Sequence, residues 1–220
     1  MATKKKTPGT LAPNVASSWA RIEGWFAANH AGLSLKLRPP ASPSEIAAAE
    51  ETLCVRLPED FRASLLVHDG QDDEPGVRIL PFAHRLGSLA SLVRCWQDDR
   101  KNFDEAEIAT RHEWLDRARS VRQMHLHPKQ IPFAGSSYWD YDRLLFDYVP
   151  GPEGTEAQVI ARCDIELFRV CGTFGELLAK TAQGLEDGTA IVDGEGDSSE
   201  VLYLAPRSKK PIAAVKWFAG

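Results

Sequence analysis

The N-terminal part of the chain carries apolar residues at helical spacing, interrupted by residues that start and stop helices. Val15, Trp19, Ile22 and Phe26 recur every three or four positions, which predicts a helix with one buried stripe, capped by Asn14. Further helix starts are predicted at a Ser-Pro-Ser-Glu sequence, a Leu-Pro-Glu-Asp sequence and a serine before an apolar run: Ser42–Glu45, Leu57–Asp60 and Ser88. Gly70 is expected to end the third helix as a left-handed cap.

The C-terminal half changes to short apolar runs separated by Gly, Pro and Asp, the pattern of β-strands. Strands are predicted at 131–134, 144–149, 158–163 and 167–171, with an earlier one at 77–82. Thr173 should cap a last helix ending at Gly184 or Gly188, and 189–192 with 201–205 can form a further hairpin. The charged stretch 98–122 suits a surface helix that packs by a narrow stripe. Helices followed by strands indicate an α+β domain.

The ends of the chain differ in composition from its middle. Residues 1–13, rich in Lys, Thr, Pro and Gly, are predicted to form a flexible N-terminal arm. Residues 14–188 carry the continuous pattern of helices and strands and are predicted to form the domain. Residues 189–220 are expected to be a short C-terminal extension packed on or beside that domain.

Composition and charge narrow the classes of function. Hydrophobic residues make up 43% of the chain and charged residues 26%, which is typical of a globular protein. The net charge of −5 disfavours nucleic acid and attracts basic partners, although such a charge also serves solubility alone. No apolar run has the length of a signal peptide or a membrane span, so a cytoplasmic location without membrane contact is expected. Four cysteines without a CxxC pair are interpreted as reduced core thiols: Cys54, Cys95, Cys163 and Cys171.

Few clusters in the sequence resemble catalytic or metal sites. His125 and His127 could begin a metal site with His112, but two imidazoles need a third ligand. Two acidic clusters, Asp140 with Asp142 and Asp72 with Asp73 and Glu74, could hold Mg²⁺ or act as acid and base pairs, yet acids in polar turns are usually just solvated. P-loop, dinucleotide-binding and nucleophile-elbow motifs do not occur in the sequence. We therefore expect no enzyme activity, no cofactor and no metal.

Two acidic loops are the candidate partner-binding surface. The first contains three consecutive acids, Asp72, Asp73 and Glu74. The second interleaves aromatic and acidic residues, and its candidates are Tyr138, Trp139, Asp140 and Asp142. Rigid aromatic area combined with charge is typical of interface hot spots, whereas the alternative is that Trp139 and Tyr141 face the core. The motif at 68–71 is interpreted as a structural turn, and not as a catalytic group.

Several short motifs follow one another in a distinctive order between about residues 15 and 188. The main ones are Trp19-x-x-Ile22-Glu23-x-Trp25, Leu37-Arg38-Pro39-Pro40-Ala41-Ser42, Leu57-Pro58-x-Asp60-Phe61, His68-Asp69-Gly70-Gln71, Ile131-Pro132-Phe133-Ala134, Phe146-Asp147 and Phe174-Gly175-Glu176-Leu177-Leu178. This series resembles the SUKH superfamily of the Smi/Knr type. Its Leu-Pro-x-Asp and His-Asp-Gly-Gln portions are the most specific.

The resemblance implies both a fold and a function. The implied fold is α+β, a mixed and largely antiparallel sheet flanked by helices. The implied function, through the bacterial members, is an immunity protein that binds and neutralises a cognate toxin, expected here to be basic, and that is a monomer or weak dimer. The first alternative is a regulatory or scaffold adaptor with the same fold, and the second is a small-molecule-binding protein or enzyme.

Overall fold

The computed structural model describes residues 14–72, 76–102, 120–124, 126–136, 142–163, 166–196, 199–205, 210–212 and Trp217. These residues form five α-helices and one 3-10 turn, Pro81–Ala83, which lies between the third and the fourth helix. The helices are α1 (Val15–Asn29), α2 (Pro43–Leu53), α3 (Glu59–Leu65), α4 (Leu89–Lys101) and α5 (Phe174–Asp187). Within the described ranges, no helix combines the length and the apolar character needed to span a membrane.

The strands form one larger sheet and one hairpin. The larger sheet is antiparallel throughout and keeps chain order: β1 (Arg85–Leu86), β2 (Gln130–Gly135), β3 (Arg143–Asp147), β4 (Gln158–Cys163) and β5 (Glu166–Cys171). The hairpin joins β6 (Ala190–Asp193) to β7 (Glu200–Tyr203). A fold of five helices with an antiparallel sheet confirms the predicted α+β class. Parallel pairing is confined, among the described residues, to one isolated bridge between Arg78 and Glu200.

The core lies between one face of the larger sheet and the helices. Four phenylalanines meet at its centre, and the rings of Phe133 and Phe146 stack with their centroids 4.2 Å apart. Phe61 of α3 and Phe174 of α5 approach each other to 5.0 Å. Such aromatic contacts add stability beyond the burial of apolar area. The α3 and α5 helices are therefore fixed against the middle of the sheet.

The opposite face of the sheet carries a smaller apolar cluster and buried charges. The apolar cluster consists of Val121, Leu145, Ile160 and Leu167. Beside it, Nη1 of Arg143 lies 2.7 Å from both carboxylate oxygens of Asp99 at the end of α4. A buried guanidinium needs such a partner, because an uncompensated charge in the interior is strongly destabilising. This ion pair joins α4 to the second face of the sheet.

The predicted helix starts are confirmed. The Asn14 side chain accepts a hydrogen bond from the Ser17 amide, and Ser42 with Glu45 forms a complete capping box. Thr173 caps α5, and Gly188 ends it in the left-handed conformation. The four strands predicted between 131 and 171 are present within two residues of their expected ends, as is the predicted hairpin after α5.

Two local predictions are wrong. Residues 77–82 form no regular strand, because Leu80 pairs only with His84 around a tight turn in which Phe82 has a φ of 65°. The α3 helix ends at Leu65, and Gly70 lies beyond it, so Gly70 is not the cap of that helix. Glycine is needed at position 70 for close packing as well as for its φ of 72°, because a β-carbon there would lie 2.4 Å from the carbonyl oxygen of Gly87.

The surface helix predicted at 98–122 lies largely outside the described residues, and α4 covers only its first positions.

Candidate partner-binding surface

The seven predicted interface residues divide into two described positions and five outside the described residues. Asp73, Glu74, Tyr138, Trp139 and Asp140 belong to the second group. Asp72 is half-exposed, and its Oδ1 lies 2.9 Å from Nη1 of Arg38. Asp142 immediately precedes β3 and, together with burial as the larger cause, raises the pKa of the Cys163 thiol to about 11. The two carboxylates therefore have separate surroundings, and the assignment of these seven residues to an interface stays a prediction.

The motif at 68–71 holds three parts of the chain together. The Asp69 carboxylate accepts a hydrogen bond from the Leu89 amide at the start of α4, at 2.8 Å. The Gln71 side-chain amide donates to the carbonyls of Leu35 and Val77, both at 2.7 Å, and its oxygen accepts from the Leu86 amide. These bonds satisfy backbone groups at the edge of β1, at the start of α4 and in the loops at Leu35 and Val77. These contacts give the motif a structural role, whereas the helix cap expected at Gly70 is not formed.

The Leu-Pro-x-Asp motif has a similar structural role. Asp60 accepts hydrogen bonds from the amides of Phe61 and, at 2.6 Å, of Gly175 in the first turn of α5. A carboxylate at a helix N-terminus satisfies amides that have no partner within the helix and interacts favourably with the helix dipole. Asp60 thus joins α3 to α5, and its carboxylate oxygens are engaged in that contact.

Gln71 also shapes a surface groove that the sequence reasoning missed. By holding the carbonyl of Leu35, it fixes the segment 33–37 beside the C-terminal end of α1. Between them lies a groove of about 340 Å³, lined by Glu23, Phe26, Ala27, His30, Ala31, Leu33, Leu35, Lys36 and Leu37. Six of these nine residues are apolar. Small concave sites lined mainly by apolar side chains, with a few polar groups, are the usual form of a binding site.

The polar groups of the groove lie along its rim. Oε1 of Glu23 lies 3.0 Å from Nε2 of His68, whose ring packs edge-to-face against Trp19. On the other side, Lys36 has a φ of 50°, and the β-carbon position of Gly76 would meet its side chain at 2.6 Å. The Asp72 amide donates to the Lys36 carbonyl, so the first acidic loop begins at this rim. Of the predicted acidic residues, Asp72 therefore lies next to the groove.

The sequence did contain a signal for the groove. Leu33, Leu35 and Leu37 alternate with polar residues between α1 and α2, a pattern of an extended segment with one apolar side. Phe26, the aromatic residue of the lining, belongs to the predicted stripe of α1. Gln71 brings this segment beside α1 through a long-range hydrogen bond to Leu35, and residue spacing along the chain cannot reveal such a contact.

The residues considered for metal or thiol chemistry have ordinary structural surroundings. His127 accepts a hydrogen bond from the Lys129 amide, and its pKa is lowered by burial and by nearby Lys129 and Arg122, while His125 and His112 lie outside the described residues. Burial raises the pKa of the Cys95 and Cys171 thiols to about 12. In the part of the chain that the structure describes, no three His, Cys, Asp or Glu side chains gather to hold a metal ion.

Comparison with known proteins gives a consistent family. A family model described as the SMI1 / KNR4 family (SUKH-1) matches residues 40–180. The chain is 29% identical to the "cell wall biosynthesis/cell cycle regulator smi1" of Schizosaccharomyces pombe, covering 91% of this chain and 42% of that protein. It is 25% identical to the "cell wall assembly regulator SMI1" of Saccharomyces cerevisiae, in an alignment that covers 89% of this chain and 46% of that protein. It is 26% identical to the "glucan synthesis regulatory protein" of Neurospora crassa, in an alignment that covers 84% of this chain and 41% of that protein.

These relatives correct the expected function. The prediction of an immunity protein that neutralises a cognate toxin is wrong, because the relatives that align with most of this chain are named as fungal regulators of the cell wall or of glucan synthesis. The predicted basic toxin partner is wrong for the same reason. The regulatory alternative agrees with these names. The chain spans less than half the length of these three relatives.

Proposed function

The chain belongs to the SMI1/KNR4 family (SUKH-1), and from that premise we propose that it is a cytoplasmic regulatory protein that acts by binding other proteins, without catalysis. The observation that carries the proposal is the alignment of 84–91% of this chain with proteins named as regulators. By extension, the process that it regulates is of the same class, cell wall assembly or glucan synthesis. The groove beside α1 supplies a surface suited to such binding.

The contacts of the reactive groups support a non-catalytic role. Asp60 and Asp69 each bind a backbone amide at the start of a helix, and His68 faces Glu23. A thiol whose pKa is raised by burial, as for Cys95 and Cys171, is protonated at neutral pH and is a poor nucleophile. These side chains are used to hold the fold, which leaves them poorly placed for acid–base or nucleophilic chemistry.

The proposal is tested by a domain exchange in fission yeast. The aligned segment of the S. pombe regulator is replaced by this chain, so that the remainder of the longer relative is kept. We expect the chimera to restore growth under cell wall stress to a strain lacking the regulator. Growth on plates containing a glucan-degrading enzyme is the measurement.

The matched control is the same chimera with Phe61→Asp, which places an unpaired charge at the aromatic centre of the core and should unfold the segment. Rescue by the chimera together with failure of this control supports the regulatory function. A chimera that accumulates at the normal level and still gives no rescue would contradict it.

A further inference from the structure

We propose that the groove binds an extended segment of a protein partner, which pairs with the backbone at Leu37 and places one bulky apolar side chain against Phe26 and Leu35. The inference rests on the proposed function, since it names the surface through which a binding protein would act. Two independent features of the same site support it, the backbone at Leu37 and the apolar lining of the groove.

Among the residues that the structure describes, the backbone at Leu37 is paired on one side only. Leu37 faces Gln71 in an isolated antiparallel bridge, flanked by hydrogen bonds from the Arg38 amide to Gly70 and from the Asp72 amide to Lys36. In this arrangement the N–H and C=O of the central residue point away from the partner strand. Accordingly, the N–H and C=O of Leu37 bond to none of the described residues. They form an open donor and acceptor pair.

The open donor and acceptor of Leu37 favour an extended peptide as the partner. One residue of an added antiparallel strand exchanges two hydrogen bonds with the residue opposite it, and a single donor and acceptor on Leu37 match this requirement. Addition of an extended peptide to an open strand edge is a common mode of recognition, in which backbone bonds give affinity and side-chain pockets give specificity. A partner helix has no free backbone groups along its length to make these bonds.

The groove supplies the pocket for specificity. Leu37 is one of the residues that line the groove, so the open backbone edge adjoins the groove. Phe26 is almost fully buried beneath the groove, while Leu33 and Leu35 are half-buried and Ala27 and Ala31 are exposed at its wall. A volume of about 340 Å³ accommodates one large aliphatic or aromatic side chain. Filling it removes the half-exposed leucines from water, which favours binding.

The test uses a phage-displayed library of random linear peptides as the probe against the full chain. We expect the selected peptides to share one bulky apolar residue. We also expect Ala27→Arg to weaken their binding by about tenfold or more, because the new side chain fills the groove. Ala20→Arg is the matched control, since Ala20 is exposed on the same helix outside the groove, and it should leave binding unchanged.

Amide hydrogen exchange tests the backbone pairing directly. We expect the bound peptide to slow exchange at the Leu37 amide, whereas the Leu33 amide, already bonded to the His30 carbonyl, should change little. Failure to select any peptide, equal loss of binding in both arginine variants, or an unprotected Leu37 amide would each overturn the proposal. Both variants change exposed positions of α1, so their thermal unfolding should match that of the parent chain.

The two proposals fail in different ways. If the yeast chimera rescues growth but the groove binds no peptide, the docking site is wrong and the regulatory function stands. If peptides bind in the groove but the folded chimera gives no rescue, the regulatory function is wrong. Introducing Ala27→Arg into a chimera that rescues growth then shows whether the groove is the surface used in the cell, because Ala20→Arg again provides the control.

Discussion

At the scale of single residues, two glycines share a backbone conformation and differ in their surroundings. Gly70 and Gly188 have φ values of 72° and 69°, but a β-carbon on Gly70 would lie 2.4 Å from the Gly87 carbonyl oxygen, while one on Gly188 meets nothing within 4 Å. We expect Gly188→Ala to lower the free energy of unfolding by about 1 kcal/mol, the cost of the conformation alone. Gly70→Ala should cost about 3 kcal/mol or more, because backbone atoms must also move. Urea unfolding measures both, and equal losses would contradict this account.

A second residue-scale prediction concerns the buried carboxylate of Asp147 on β3. Burial raises the pKa of the Asp147 carboxyl, and hydrogen bonds from the Gln158 side chain and the Val149 amide lower it by a smaller amount. The folded state therefore binds the proton at a higher pH than the unfolded state, and this group's contribution to stability falls as pH rises from about 3.8 through the raised pKa. We expect Asp147→Asn to remove this component of the pH slope in urea unfolding. The exposed Asp193→Asn serves as control, and an unchanged slope in Asp147→Asn would be evidence against the effect.

At the scale of elements, local signals and long-range contacts differed in how far they could be predicted. The caps of α1, α2 and α5 were predictable because a capping side chain and the amide it binds are three residues apart. The groove was not, because Phe26 and Leu35 become neighbours only through Gln71, which lies 36 residues from Leu35. The apolar run at 77–82 was misassigned because tertiary burial, and not strand pairing, accounts for its apolar side chains.

The outer edge of β5, the last strand of the larger sheet, is covered by a side chain. The Gln123 side chain accepts from the Leu167 amide and donates to the Leu167 carbonyl, both at 2.8 Å, as a neighbouring strand would. Exposed sheet edges promote association between chains, so this side chain protects the edge. We expect Gln123→Leu to lower the free energy of unfolding by about 2 kcal/mol and to increase self-association. Light scattering and urea unfolding test this against Gln97→Leu, an exposed glutamine on α4, and similar behaviour of the two variants would refute it.

At the scale of the whole molecule, the C-terminal hairpin shares the core of the domain. Val201 and Tyr203 of β7 belong to the main apolar cluster, and the Tyr203 ring lies 4.8 Å from that of Trp217. On α5, a β-carbon at Gly184 would lie only 3.0 Å from the Trp217 ring. The strand backbone also joins the rest of the chain, because the Val201 amide donates to the Arg78 carbonyl. Because of these contacts, we expect the hairpin and the helices to unfold as one cooperative unit.

Cooperative unfolding predicts that damage to the hairpin destabilises the entire chain. Val201 is 1% exposed, whereas Ile191 on the partner strand is 37% exposed. We expect Val201→Ala to lower the free energy of unfolding by about 2 kcal/mol in a single urea transition, and Ile191→Ala to change it by less than about 0.5 kcal/mol. Helical circular dichroism and tryptophan fluorescence should give coincident transitions in both variants. A Val201→Ala protein with an early separate transition and an unshifted main one would mean that the hairpin folds apart from the domain.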